Sequence, residues 1–384
     1  MPYFHIDIES QQVSKRAGAP CGDTFLVRRN IYHTTIILAD GIGSGVKAHI
    51  ASRMNSARLE ALLDGQMSLR DAFFGVAGTM SRWRDHSLPF SAFLVMRVLN
   101  DGAATVLSYE MPPCFLISRR EVSIVSGQPL VVQAGLASEA HFSLEKDEGV
   151  LLLSDGIIQS GLGRSSLPEW GVDGVESFLS ARTGRDLDFS RITEEVLATA
   201  RYNDGAHSGD DKTVLLAHSR AGIVVNILTG PPADKRRDRE VAEAFDEAGG
   251  LKVICGATTA DIFARHNSLT VEVEQRPVSY SSPPRYFLSG IDIVTEGAVT
   301  LTQAYNLLAD EGESTIELDR SPAGDLASML RNADFIRFTV GLARNPANAD
   351  VVYRKQGILA RDRIVPLLAE KLERMGKLVT VEFV

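Results

Sequence analysis

From Tyr3 to Val13 the chain alternates, with Phe4, Ile6 and Ile8 set between His5, Asp7 and Glu9, which is the two-residue period of a strand buried on one face. Ala17 to Gly22 is a turn, after which 23–27 and 31–39 predict two antiparallel strands. From Val46 to Leu63 apolar residues return at helical spacing (Val46, Ile50, Met54, Ala57, Leu62), and a second helix is predicted from Leu69 to Trp83 beyond Asp64-Gly65. Four apolar runs follow, at 90–98, 104–109, 114–118 and 121–125. The short joints Asn100-Asp101-Gly102, Met111-Pro112-Pro113 and Arg119-Arg120 make them an antiparallel meander. A strand at 150–153, helices at 172–181 and 192–202 and a strand at 213–218 complete this half.

Near Ala221-Gly222 the texture changes. Strands at 223–228, 251–255, 269–273, 286–293, 335–340 and 378–384 alternate with helices at 234–248, after Gly256, at 301–308 and at 361–375. Strand–helix alternation predicts a largely parallel sheet. A chain of 384 residues exceeds the usual single domain, so two are expected, 1–220 and 221–384, the second with no assigned function and a regulatory or ligand-binding role in view.

Composition narrows the partners. The chain is 44% hydrophobic with a net charge of −9, which is ordinary for a globular protein and opposes phosphate backbones, so no nucleic acid is expected. Three widely separated cysteines, Cys21, Cys114 and Cys255, suggest neither a disulfide framework nor a thiolate zinc site. The N-terminus has no signal-peptide pattern and no apolar run reaches bilayer length, so a cytoplasmic protein without membrane attachment is expected.

Candidate chemistry sits where apolar strands meet acidic residues. Leu38-Ala39-Asp40-Gly41-Ile42-Gly43-Ser44-Gly45 carries a strand into a glycine-rich corner, Leu153-Ser154-Asp155-Gly156 repeats this, and Gly209-Asp210-Asp211-Lys212-Thr213 sets acids before a strand. Each motif alone also reads as a tight turn. Three in one domain-sized segment point to hard oxygen ligands for divalent cations, a pair of which can clamp a phosphoryl oxygen and activate water without a protein nucleophile. His33, His49, His86 and His207 form no helical i, i+4 pair, so a zinc-type site is not expected; His207, three residues before Asp210, is the one considered as a general acid and also reads as an ordinary loop histidine. Arg16, Arg28 and Arg164 are the arginines considered for a phosphate, each also readable as surface charge.

These motifs resemble the three metal-binding motifs of the PPM-type metal-dependent serine/threonine phosphatases, in their bacterial sporulation stage II protein E-like branch. Gly22-Asp23-Thr24 resembles that branch's N-terminal Gly-Asp motif, and Met111-Pro112-Pro113 its Pro-Pro hairpin, so the resemblance covers about residues 3–218. It implies an α+β fold: an α-β-β-α sandwich of two antiparallel sheets flanked by helices, followed here by a second α/β domain. It implies phosphoserine/phosphothreonine hydrolysis in bacterial signalling at a centre of two Mn²⁺ or Mg²⁺ ions. Asp40 would bridge the metals, Gly41 would offer its carbonyl, Asp155 and Asp210 would complete the catalytic centre, and Asp23 would be an outer ligand. Asp210 is preferred to Asp211 because matching Thr213 to the family's threonine puts Asp210 in the ligand position. The implied partner is a phosphorylated protein, in this branch often an anti-sigma-factor antagonist; a dimer is left open.

The chain departs from the family where Ser108-Tyr109-Glu110-Met111 precedes the double proline in place of Asn-Ala-Gly-His. This motivates an alternative, a weak or inactive module that binds phosphoproteins. In that reading the second half is an anion or nucleotide sensor near the glycine turn Cys255-Gly256-Ala257-Thr258-Thr259.

Overall fold

The computed structural model describes residues 3–85, 90–162, 169–184, 187–205, 209–273, 286–308, 321–343 and 358–384. It comprises two compact units, Tyr3–Ala221 and Gly222–Val384.

The first unit runs β1 (Phe4–Val13), β2 (Asp23–Arg29), β3 (His33–Gly41), α1 (Val46–Asp64), α2 (Leu69–Asp85), β4 (Ser91–Leu99), β5 (Ala103–Tyr109), β6 (Phe115–Ile117), β7 (Val122–Ile124), β8 (Gln128–Leu130), β9 (Ala137–Ser143), β10 (Gly149–Leu153), α3 (Asp155–Ile158), α4 (Gly171–Ser180), α5 (Phe189–Asp204) and β11 (Lys212–Ala221). Among the described residues these strands form two antiparallel sheets, β1-β11-β10-β6-β7 and β2-β3-β4-β5-β9-β8.

Side-chain parity explains the layering. Ile36, Leu38, Leu94 and Met96 pack with Val150, Leu152 and Leu215 in a core between the sheets. Their strand neighbours point the other way. Ile37, Ala39, Phe93 and Val95 meet Leu59, Phe73 and Val76 of α1 and α2. Leu151, Leu153 and Val214 meet Val175 of α4 and Ile192 and Val196 of α5. Where strands are covered on both faces they must be apolar, which is why β10, and β3 and β4 over 36–39 and 92–96, read as hydrophobic runs. The result is the α-β-β-α sandwich.

The second unit runs β12 (Val224–Thr229), a 3₁₀ turn (Lys235–Arg237), α6 (Asp238–Glu247), β13 (Leu251–Cys255), α7 (Ala257–His266), β14 (Glu272–Val273), β15 (Tyr286–Phe287), β16 (Ile293–Thr295), α8 (Ala298–Leu307), α9 (Pro322–Asn332), β17 (Phe335–Val340), α10 (Arg361–Arg374) and β18 (Leu378–Phe383). Its sheet order is β14-β15-β16-β13-β12-β17-β18, parallel from β16 to β18 and antiparallel at the β14-β15 edge.

Several expectations shift. The single strand expected over 286–293 is broken, because Gly290, at φ +79°, turns the chain between β15 and β16. The strands β8 and β9 and the helix α9 lie where no element is expected from the pattern. The helix expected from 234 begins as a 3₁₀ turn, with Asp234 accepting from the Arg236 amide.

Candidate active site

Antiparallel pairing sets Asp23 of β2 directly opposite Asp40 of β3, the last but one residue of its strand. Both are buried, Asp23 at 1% exposure and Asp40 at 7%. Beyond β10, Asp155 opens α3, and its carboxylate hydrogen-bonds with Asp40, which also bonds Asp23. Asp210 is close enough to Asp155 for its charge to raise the Asp155 pKa. Asp23, Asp40 and Asp155 are therefore in contact, and Asp210 stands beside them.

The electrostatics follow from burying like charges. Burial, then the charges of Asp23 and Asp155, hold Asp40 well above the usual carboxylate range. Burial likewise pushes Asp23 up to about 6, against hydrogen bonds from Ser154 and Thr213, the latter Oγ1 at 2.7 Å from Asp23 Oδ2. Asp155 is raised by burial and by Asp210. The three carboxylates therefore resist ionising together, Asp40 most of all.

Asp211 does different work. Its oxygens accept from the backbone amides of Lys15 at 2.7 Å and Gly22 at 2.9 Å, tying β11's start to the β1–β2 turn. Its partner in sequence, Asp210, instead approaches the Lys15 ammonium at 3.5 Å. Below them Lys212 and Asp204, both buried, form an ion pair at 2.5 Å; Lys212 also reaches the Asp210 carbonyl at 3.1 Å, and Asp204 accepts from the Gly161 amide at 2.9 Å.

Two glycines of the motifs, Gly41 and Gly156, are required by crowding. A Cβ on Gly41 would lie 2.0 Å from the Ala48 carbonyl oxygen in the first turn of α1, and one on Gly156 2.1 Å from the Asp211 carbonyl. These contacts lock α1 to the end of β3 and α3 to the start of β11.

Other candidates are not gathered here. Arg16 is exposed. Arg28 lies near the far end of β2 and pairs with Glu60. His33 is at the far end of β3, and His49 is hydrogen-bonded to the Cys21 carbonyl at 2.7 Å. His86, Arg164 and His207 lie outside the described residues. Sequence reasoning does not single out Lys15, Asp204 or Ser154, and uses Thr213 only to place Asp210; Ser154 and Thr213 fall inside the acidic motifs, and their hydroxyls face Asp23.

Among the described residues no group of three His, Cys, Asp or Glu side chains is arranged to hold a metal ion as it stands. The donor chemistry nevertheless fits one. Clustered carboxylates are hard oxygen donors, and the buried Asp23 Oδ1 has no hydrogen-bond partner.

Two antiparallel sheets packed face to face between helices, with carboxylates at the strand ends, define a PPM-type (PP2C) phosphatase fold. Residues 32–220 match the family described as Stage II sporulation protein E (SpoIIE), so this segment is a SpoIIE-type domain, with Asp23 just ahead of the matched stretch. Among solved structures the chain is similar to the PP2C phosphatase domain and regulatory-domain fragment of SpoIIE from Bacillus subtilis, at 16% identity and TM-score 0.49, over 57% of this chain and 65% of that one. It is similar to the RsbU and RsbW domains of Rv1364c from Mycobacterium tuberculosis, at 19% identity and TM-score 0.47, over 64% of this chain and 70% of that one. It is also similar to RsbX in complex with magnesium, at 17% identity and TM-score 0.39, over 56% of this chain and 100% of that one. No curated protein matches the chain.

Proposed function

We propose that the first unit is a metal-dependent protein phosphatase that hydrolyses phosphoserine or phosphothreonine in a bacterial signalling protein. The observation that carries this is the buried contact of Asp23, Asp40 and Asp155 with Asp210 alongside, in a SpoIIE-type domain. Asp40, Asp155 and Asp210, with the Gly41 carbonyl and Asp23 as outer support, are the groups that would hold Mn²⁺ or Mg²⁺, whose charge would offset the repulsion among the carboxylates. Two bound ions would supply an activated water and offset charge on the phosphoryl oxygens. The protein groups have separate tasks. Thr213 and Ser154 orient Asp23, the Lys212–Asp204 pair fixes the Asp210 backbone, and Lys15, half-exposed beside Asp210, is the cation best situated to meet a phosphate. Turnover of p-nitrophenyl phosphate and of a phosphoserine protein with and without Mn²⁺ tests the reading; absence of metal-dependent turnover defeats it. Tight phosphoprotein binding without phosphate release would instead favour the binding-module alternative.

For the second unit we infer an anion-binding role, on one observation. The Arg361 guanidinium lies against Gly230, whose φ of +83° admits no side chain there, at the carboxyl ends of the parallel β12 and β17. The strand ends of such a sheet are the usual ligand crevice. The site differs from the glycine turn named from sequence: the Gly256 amide donates to the Thr295 carbonyl, and Thr259 Oγ1 accepts from the Gly230 amide. A thermal shift of the full chain with ATP or inorganic phosphate, lost in Arg361→Met, is expected.

A further inference from the structure

The outer face of the six-stranded sheet changes character along its strands. Toward the Asp40 end, Ile37, Ala39, Phe93 and Val95 lie beneath α1 and α2. Along the same strands, the outward positions toward the other end are polar: Arg28 on β2, His33 and Thr35 on β3, Arg97 on β4. With the last turn of α1 and the following Met67 they line a cavity of about 490 Å³, within the range of small-molecule sites.

The cavity's hydrogen bonds run in one direction. Asn30 Oδ1 accepts from the amides of Tyr32 and His33, which leaves its Nδ2 to donate to His33 Nε2 at 3.2 Å. His33 then carries its proton on Nδ1 and donates to Thr35 Oγ1 at 3.3 Å. The same Thr35 oxygen accepts from Arg97 Nε at 3.3 Å. Two donors already meet that oxygen, so the Thr35 hydroxyl hydrogen and the terminal N–H groups of Arg97 are left as donors. Arg28 is neutralised by Glu60, whereas among the described residues no carboxylate pairs with Arg97, and burial draws its pKa down. A half-buried guanidinium held by a histidine–threonine relay keeps N–H groups of the kind that pair with oxyanions.

We propose that this cavity binds a small organic oxyanion, its carboxylate or phosphate on Arg97 and Thr35 and its apolar body against Leu26, Leu63 and Met67. Thr35 is five strand residues from Asp40, roughly 17 Å, so the site is separate from the carboxylate cluster and independent of its reading as a metal centre.

The test is calorimetric titration of the full chain in EDTA with benzoate and, separately, with phenylphosphonate. Saturable one-to-one binding of at least one is expected. Preference for benzoate identifies a carboxylate ligand, and preference for phenylphosphonate a phosphate. Arg97→Met should weaken binding at least tenfold. Met67→Trp, a change at a surface position that fills the cavity and keeps the arginine, should do the same and carries the test if Arg97→Met does not fold. Asp40→Asn should bind as the parent does. Binding of neither probe, parental affinity in both cavity variants, or loss of binding in Asp40→Asn would overturn the proposal.

Discussion

The β2–β3–β4 ladder ends in opposite electrostatic states. At one end Asp23 faces Asp40 with Asp155 against them, like charges buried together. At the other end Arg97 is half-buried with no carboxylate paired to it among the described residues, Glu60 of the same cavity being taken by Arg28. Between these extremes stands Lys212–Asp204, as deeply buried as the aspartates and balanced within itself. Taking a charge out of water costs several kcal/mol unless a partner compensates it. The balanced pair is therefore scaffold, while the two unbalanced groups are places where something outside the chain can complete the count. Charge balance, more than burial, separates structure from site in this unit.

The comparison breaks hardest at Asp40. Asp40→Asn removes the central carboxylate, and Mn²⁺-dependent hydrolysis of p-nitrophenyl phosphate should fall by about a thousandfold or more. The same substitution removes a buried ionisable group from among like charges, so the metal-free protein should melt higher than the parent. A variant that stayed active would remove the distinction between the acidic end and ordinary turn chemistry.

Lys212→Met reverses the sign. It strands Asp204 without its partner, and unfolding in urea should show a loss of about 3–5 kcal/mol. Neutralising an unbalanced charge should thus stabilise, and breaking a balanced one destabilise, within one unit.

Much of this pattern is legible in the residues themselves. Strands such as β3, β4 and β10, apolar on both faces, stand out as hydrophobic runs, and Asp40, Asp155 and Asp210 are conspicuous because each adjoins one. β9 is not: Ala137-Ser138-Glu139-Ala140-His141-Phe142-Ser143 has little apolar periodicity and owes its strand to pairing with β5. α9 escapes notice because Pro322 and Gly324 read as loop, although Ser321 caps the helix and proline suits its first turn. Asp204 and Lys212 are invisible as a pair because long-range ion pairing leaves no local pattern. The two neighbouring acids Asp210 and Asp211 have different partners: Asp211 is occupied by two backbone amides, whereas Asp210 meets the Lys15 ammonium. The relay behind Arg97 runs from the β2–β3 turn through β3 to β4 and has no sequence signature.

A smaller effect tests whether the glycines belong to the site or only to its turns. Gly41→Ala places a methyl against the Ala48 backbone, whereas Gly43 has open space around it, although its φ of +105° makes any side chain strained. Overpacking at Gly41 should cost about 1–3 kcal/mol by denaturant titration and displace α1 from Asp40, so metal-dependent turnover should fall as well.

The smallest effect is the pH dependence. Asp23 is held at about 6 in the folded protein, above its unfolded value, so the native state binds its proton more tightly. Stability from this group is present at low pH and declines as pH rises from about 4 through 6, the sign expected when the folded state carries more protons. His33 and His218, both lowered by burial, act in the opposite direction over the upper part of that window. The quantity to measure is therefore the stability difference between parent and Asp23→Asn in EDTA. It should move against the parent by on the order of 1 kcal/mol between pH 5 and 7, read by thermal melts at each pH. Adding Mn²⁺ should flatten the parent's profile, because a cation among the carboxylates removes the reason they resist ionising. A flat difference without metal would mean the acidic end is no less balanced than Lys212–Asp204.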